Sequence, residues 1–174
     1  MKSSTNRLVV TIPGYLCENN ERERNLLRFL FIKFNYARRR AYALLQRGIS
    51  IAEVEKKLFK EVNLNGRYIK DAIWSVKSLP PHVTFGGKRN AYDLARGRIN
   101  KEKWRELRAP IVCSRGERSK KGNLNMRIIQ VNGELRLRIN VPTYWGREYI
   151  YPKLFIPKKY WRRFGRYIMD GQPY

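Results

Sequence analysis

Cys17 and Cys113 are the only cysteines in the chain, and His82 is its only histidine. A structural zinc takes four Cys or His side chains, so such a site is excluded within this chain. Neither cysteine has a histidine beside it to hold a thiolate, and both read as ordinary packing residues. His82 follows Pro80-Pro81 and reads as a loop residue without a catalytic part. The carboxylates point the same way. Two-metal phosphodiester cleavage needs several acids converging on ions about 4 Å apart. Here Glu53, Glu55 and Glu61 lie near Lys56, Lys57 and Lys60, and Glu102 and Glu106 lie near Lys103 and Arg105. These spacings read as intrahelical ion pairs. No catalytic residue, metal or cofactor is expected, and the chain is expected not to be an enzyme.

The chemistry that is abundant is cationic. The 174 residues hold 38 Lys plus Arg against 14 Asp plus Glu, a formal charge of +24. A surface that positive repels itself unless a polyanion covers it. With 43% hydrophobic and 13% aromatic residues the chain is nevertheless a folded protein rather than a basic tail. Arg outnumbers Lys, 23 to 15, which suits bidentate phosphate contact and stacking better than simple solubilisation. Aromatics are interleaved with the cations at Tyr36, Arg38, Arg39, Arg40 and Tyr42, and again at Tyr160, Trp161, Arg162 and Arg163. That pattern belongs to RNA and single-strand binding. The burial habit of Phe and Trp places about two thirds of the aromatics in the core and leaves Tyr36, Tyr42 and Tyr160 as surface candidates.

The charge is uneven: from Lys88 onward there are 22 basic and 7 acidic residues, a net +15. Within that half, Ser114 to Asn123 forms a Gly-bounded loop carrying Arg115, Arg118, Lys120, Lys121 and Asn123, able to turn cations and backbone N–H groups onto phosphates. No apolar run approaches the roughly 18 to 20 residues of a spanning helix, and no apolar signal core precedes Pro13-Gly14. A cytoplasmic protein, nucleoid-associated if its ligand is, without a membrane partner, is the expectation.

The elements that must position these side chains can be read from periodicity. Arg7 to Ile12 alternates as a strand ended by Pro13-Gly14. From Glu21 to Arg47 the spacing of Leu27, Leu30, Phe34, Ala37, Ala41 and Leu44 predicts a long helix, opened by acids and stopped at Gly48. Ser50 with Glu53 forms a capping box, and Ile49 with Val54 a hydrophobic staple, at the start of a second helix. A third runs over about Asn65–Ser78 to Pro80-Pro81. A short helix to Ala95 and another over Lys101–Arg108 follow, with Trp104 and Leu107 inward. Beyond Pro110 the period becomes two. If Asn132-Gly133 is a type I′ turn, Ile128 meets Leu137, Met126 meets Ile139, and Arg127 stands directly opposite Arg138, with Arg136 on the same face. Like charges across a ladder destabilise by up to about 1 kcal/mol, so this face is built for a polyanion. Tyr149–Ile156 reads as another strand and Lys158–Phe164 as a basic, aromatic helix.

Phe85–Arg89 reads as a loop whose Lys88 and Arg89 are further candidates for nucleic-acid contact. Phe85-Gly86-Gly87-Lys88, then Arg98-Ile99 with Trp104-Arg105 and Arg108, then Ser114-Arg115-Gly116 and Lys121-Gly122-Asn123 before a strand, form an ordered series. It resembles the N-terminal half of the TnpB family, transposon-encoded RNA-guided DNA nucleases related to type V CRISPR effectors. The resemblance implies an α+β chain: a small antiparallel β-barrel of wedge type from residues 1–16 and 110–174, with an inserted helical recognition domain over 17–109. It also implies partners, a guide-type RNA and duplex DNA carrying a short flanking motif, and a nuclease half that this chain lacks. The carboxylate triad of that RuvC-like half has no counterpart here; Asp170 does not follow an apolar strand and takes no catalytic role.

Three functions are therefore in view. The first is the nucleic-acid-binding portion of a TnpB-like protein, binding without cutting. The second is a small basic ribonucleoprotein component of ribosomal type, sharing the partner class but not the motif order. The third, a small metal-dependent enzyme resting on Asp71, Asp93 or Asp170, ranks last for want of a clustered ligand set.

Overall fold

The structure, a computed structural model, describes residues 11–17, 20–109, 111–116 and 123–169. It is α+β, with an antiparallel sheet that shares one core with helices. After β1 (Tyr15–Cys17) comes α1 (Glu21–Leu45). The Asn20 side chain accepts the Glu23 N–H at 2.9 Å, and Glu21 and Glu23 sit in the first turn, where the macrodipole favours negative charge. The inward stripe is as spaced in the sequence: Leu30, Phe34, Ala37, Ala41 and Leu44 are buried, and Leu27 is half-buried. Gly48, at φ +77°, stops the helix, and the Ile49 N–H turns back to the Leu44 carbonyl at 3.3 Å.

In α2 (Ile51–Glu61) the Ser50 hydroxyl accepts the Glu53 N–H at 3.3 Å, and the same hydroxyl donates to the Glu53 carboxylate at 3.1 Å. The cap thus closes through the two side chains. α3 (Gly66–Trp74) is shorter than its apolar spacing predicts, because tight i→i+3 bonds from Val76 to Ile73 and from Leu79 to Val76 replace its last turns before Pro80-Pro81. α4 (Lys88–Ala95) and α5 (Lys101–Leu107), the latter capped by Asn100, complete the helices before the sheet.

The sheet holds β2 (Met126–Val131), β3 (Glu134–Thr143), β4 (Gly146–Ile150) and β5 (Lys153–Phe155). Its order is β1-β5-β3-β2, with β4 also paired to β3. The hairpin register is the one that the Asn132-Gly133 turn dictates: Met126 pairs with Ile139, Ile128 with Leu137, and Arg127 with Arg138. Asn132 and Gly133 adopt φ 50° and 79°, the paired positive values of a type I′ turn.

Three expectations need correction. Tyr149–Ile156 is two strands rather than one, because Pro152 has no N–H to donate and instead its carbonyl accepts the Leu137 N–H at 3.0 Å. Lys158–Phe164 begins as a 3₁₀ turn over Lys158–Tyr160 and becomes helical only in α6 (Trp161–Met169). Thr11 and Ile12 lie outside any strand, and residues 7–10 of the expected first strand lie outside the described residues. The strand that joins the sheet is β1, after Gly14, where an added Cβ would stand 3.0 Å from Ile156 Cδ1 and 3.1 Å from the Phe155 carbonyl oxygen. Among the described residues no ladder joins β1 to β2, so the sheet is open.

One core spans both kinds of element. Ile139, Val141 and Ile150 from the sheet share a cluster with Phe34, Leu58, Tyr68 and Ile69 from the helices. The buried Tyr68 hydroxyl donates to the Asn140 carbonyl at 2.9 Å, tying α3 to β3. Eleven described aromatic side chains remain exposed, so fewer are core than the expected two thirds.

Candidate nucleic-acid interface

Successive residues of a helix point about 100° apart, and this separates the three arginines of α1. Arg38 Nε donates to Ser75 Oγ at 3.0 Å and its Nη1 to Asn35 Oδ1 at 2.8 Å. Arg39 Nη1 reaches the Arg108 carbonyl at 3.3 Å; burial, helped by the neighbouring Arg108 and Arg38, pushes its guanidinium down to about 10. Arg40 grips Glu61 with two bonds of 2.8 and 2.9 Å and holds that carboxyl below its ordinary range. Tyr36 is exposed, but Tyr42 is not a surface residue: its hydroxyl donates to the Pro80 carbonyl at 2.8 Å and accepts the Val83 N–H at 3.0 Å. Its ring meets Phe85 edge-on at 5.4 Å.

The Phe85-Gly86-Gly87 turn is therefore a packing junction as well as a loop. Gly86, at φ +88°, has no room for a side chain, since a Cβ would stand 2.8 Å from Arg108 Cγ and 2.9 Å from Trp104 Cζ3. Lys88 and Arg89 follow, exposed in the first turn of α4.

In the basic loop, Arg118, Lys120 and Lys121 lie outside the described residues. Arg115 is committed to the fold: its Nε donates to the buried Asp71 at 2.6 Å, its N–H bonds the other carboxylate oxygen at 3.1 Å, and its guanidinium lies 4.4 Å from the Trp74 ring. It walls one side of an open groove of about 670 Å³ shared with Phe59, Arg67 and Lys70. Asn123 is buried rather than presented to a ligand. Its Oδ1 accepts the N–H groups of Asn125 and Met126 at 2.9 and 3.0 Å, and its Nδ2 donates to the Ser114 carbonyl at 2.6 Å. Asn125 continues this network to Asn65, the cap of α3, at 2.8 Å.

The sheet does bring predicted residues together. Side chains alternate along a strand, so the register places Arg127, Arg136 and Arg138 on the face turned away from the helices, while Met126, Ile128, Leu137 and Ile139 face the core. The same ladders add residues that the sequence reading missed. Lys153 pairs with Arg136, Arg147 with Pro142, and Tyr149 with Asn140, while Tyr15 stands opposite Phe155 and Cys17 opposite Lys153. That face of the strands carries five cations and one acid, Glu134. Glu134 is held by Arg136 at 3.1 Å and Lys153 at 2.5 Å, and the Lys153 bond draws its carboxyl below the ordinary range. Arg138 lies 5.2 Å from the Tyr149 ring. Tyr15 is 67% exposed and Phe155 58%. Alternation was the signal for Lys153 and Phe155, but it was hidden by the break at Pro152.

At the C-terminal end, Arg162 and Arg163 are exposed on α6, and Tyr160, half-buried, lies 5.0 Å from the Lys159 ammonium. Among the described residues no three His, Cys, Asp or Glu side chains come together where they could hold a metal, and no helix is long and apolar enough to cross a membrane. The arrangement is one of fixed cations and rings, suited to holding phosphates and bases. No curated protein and no solved structure matches the chain. A family model described as the SSO2105 N-terminal domain matches residues 9–168. By that match over nearly its whole length, the chain belongs to the SSO2105 N-terminal domain family.

Proposed function

We propose that this chain is the nucleic-acid-binding portion of a TnpB-like protein, which holds guide-type RNA, and flanking-motif duplex DNA beside it, without cutting either. The observation that carries the reading is the pairing of Arg127 with Arg138 across the β2–β3 ladder, with Arg136 beside them and Glu134 the single acid on that face among the described residues. Like charges directly opposite destabilise a sheet; a polyphosphate turns that repulsion into attraction. On this reading the open sheet is the wedge-type element, the helices are the recognition domain, and the protein works in the cytoplasm.

Gel-shift titration of the purified chain against structured RNA at several salt concentrations tests this. With several phosphates neutralised, affinity should fall by orders of magnitude between about 50 and 200 mM salt. A flat salt response, or absence of RNA binding, overturns the reading.

A further inference from the structure

The solvent face of the sheet is more than a patch of charge, because four of its five cations lie between a pair of aromatic rings and a third ring. At one end Tyr15 and Phe155 stand directly opposite each other on β1 and β5, each more than half exposed. Along β5 and β3 come Lys153 and Arg136, paired across the ladder, and then Arg138 opposite Arg127. Bonds to the Asn123 and Tyr151 carbonyls at 3.0 and 3.1 Å hold the Arg127 and Arg136 side chains in place on the face. Tyr149, 41% exposed, follows opposite Asn140. Residues two apart on a strand are about 6.7 Å apart, so the ring groups are separated by roughly 20 Å along the strands, with those cations spaced between them.

A duplex hides the faces of its bases in its own stack and offers rings on a protein nothing to stack on. An unpaired strand offers both a phosphate chain and open base faces. We propose that this face is a stacking platform for an unpaired polynucleotide strand: bases rest on Tyr15 and Phe155 at one end and on Tyr149 at the other, and Arg127, Arg136, Arg138 and Lys153 follow the phosphates between them. The proposal rests on the nucleic-acid reading above and names its ligand as single-stranded. Charge complementarity selects this occupant, since a protein segment covering the rings would have to bring matching carboxylates for the five cations.

The test compares a short fluorescein-labelled oligouridine with a duplex of the same length, by anisotropy, on the whole chain. Phe155→Ala and Tyr15→Ala should each weaken the oligouridine about tenfold, within the roughly 5- to 150-fold that one stacked base represents, and leave the duplex unchanged. Arg127→Gln should weaken both. Because Tyr15 and Phe155 form a cross-strand pair that helps hold β1, a second measurement uses the unaltered protein. Cys17 is exposed and paired with Lys153 on this face, so oligouridine should protect it from N-ethylmaleimide, while the half-buried Cys113 should keep its rate. Duplex bound as tightly as oligouridine, with the alanine variants unaffected and Cys17 unprotected, overturns the platform while nucleic-acid binding stands. Binding of neither overturns both readings.

Discussion

Replacing Arg138 separates what the sheet face does for the fold from what it does for a ligand. Arg138 stands opposite Arg127 and lies 5.2 Å from the Tyr149 ring. Arg138→Gln removes a like-charge pair worth up to about 1 kcal/mol of destabilisation and also a cation–π contact worth about 0.5–1 kcal/mol. Its stability should therefore change little. Arg138→Glu loses the same ring contact but places a carboxylate opposite Arg127, adding about 0.2–1 kcal/mol. In a chain of this size, the Glu variant should melt about 1 to 4 °C above the Gln variant. Binding should run in the opposite order. A single-strand slope of about 0.7 per phosphate makes one lost contact worth about fourfold in affinity at about 150 mM salt and about eightfold at about 50 mM. Gln should show that loss, and Glu a larger one, because its carboxylate meets the phosphate. Differential scanning fluorimetry and anisotropy on the same preparations read the two orders. A Glu variant that melts below the Gln variant, or that binds RNA like the parent, refutes the reasoning.

Three further outcomes follow from the geometry. Arg115→Ala should cost about 2–3 kcal/mol, because the buried Asp71 loses its 2.6 Å partner and keeps the main-chain N–H; half of Arg115 is in solvent, which holds the cost below that of a fully buried pair. The loss should shrink in an Asp71→Asn background, read by urea unfolding. Tyr42→Phe should cost about 1–2 kcal/mol through its bonds to Pro80 and Val83 and leave RNA affinity unchanged. Burial, and then the nearby Asp71, push the Cys113 thiol up, so it is protonated at a pH where an ordinary thiol has begun to ionise. Alkylation followed by mass spectrometry should therefore find Cys113 slow near pH 8, its rate still climbing as pH rises further, with the exposed Cys17 modified first.

What was legible in the sequence was what is periodic. The inward stripe of α1 and the β2–β3 register both follow from local spacing, and the register alone put Arg127 against Arg138. What was not legible depends on contacts far apart in sequence. Arg38, Arg39 and Arg40 look like one basic cluster until α3, Arg108 and Glu61 arrive to take them separately. Asn123 reads as a ligand-facing loop residue until the Asn65–Asn125–Ser114 network closes over it. Tyr15 and Phe155 are 140 positions apart, and only the β1–β5 pairing makes them one surface.

The net charge therefore divides into two populations with different work. On the helices, cations meet acids or carbonyls of the same chain: Arg22 with Glu148, Arg28 with Glu102 and Glu106, Arg40 with Glu61, Arg98 with Asp93. All but the last of these cross between elements and fix how they sit. On the solvent face of the sheet, five cations meet one acid among the described residues, Glu134, and of these Arg127 and Arg136 also donate to the Asn123 and Tyr151 carbonyls at 3.0 and 3.1 Å. Arg136 and Lys153 divide that one carboxylate between them, which holds two side chains in place without neutralising the face. A fold under no demand but stability would exchange one member of the Arg127–Arg138 pair for an acid, as the exposed helix faces do. Keeping both is a standing cost to the sheet, and a ligand of opposite charge is what removes it.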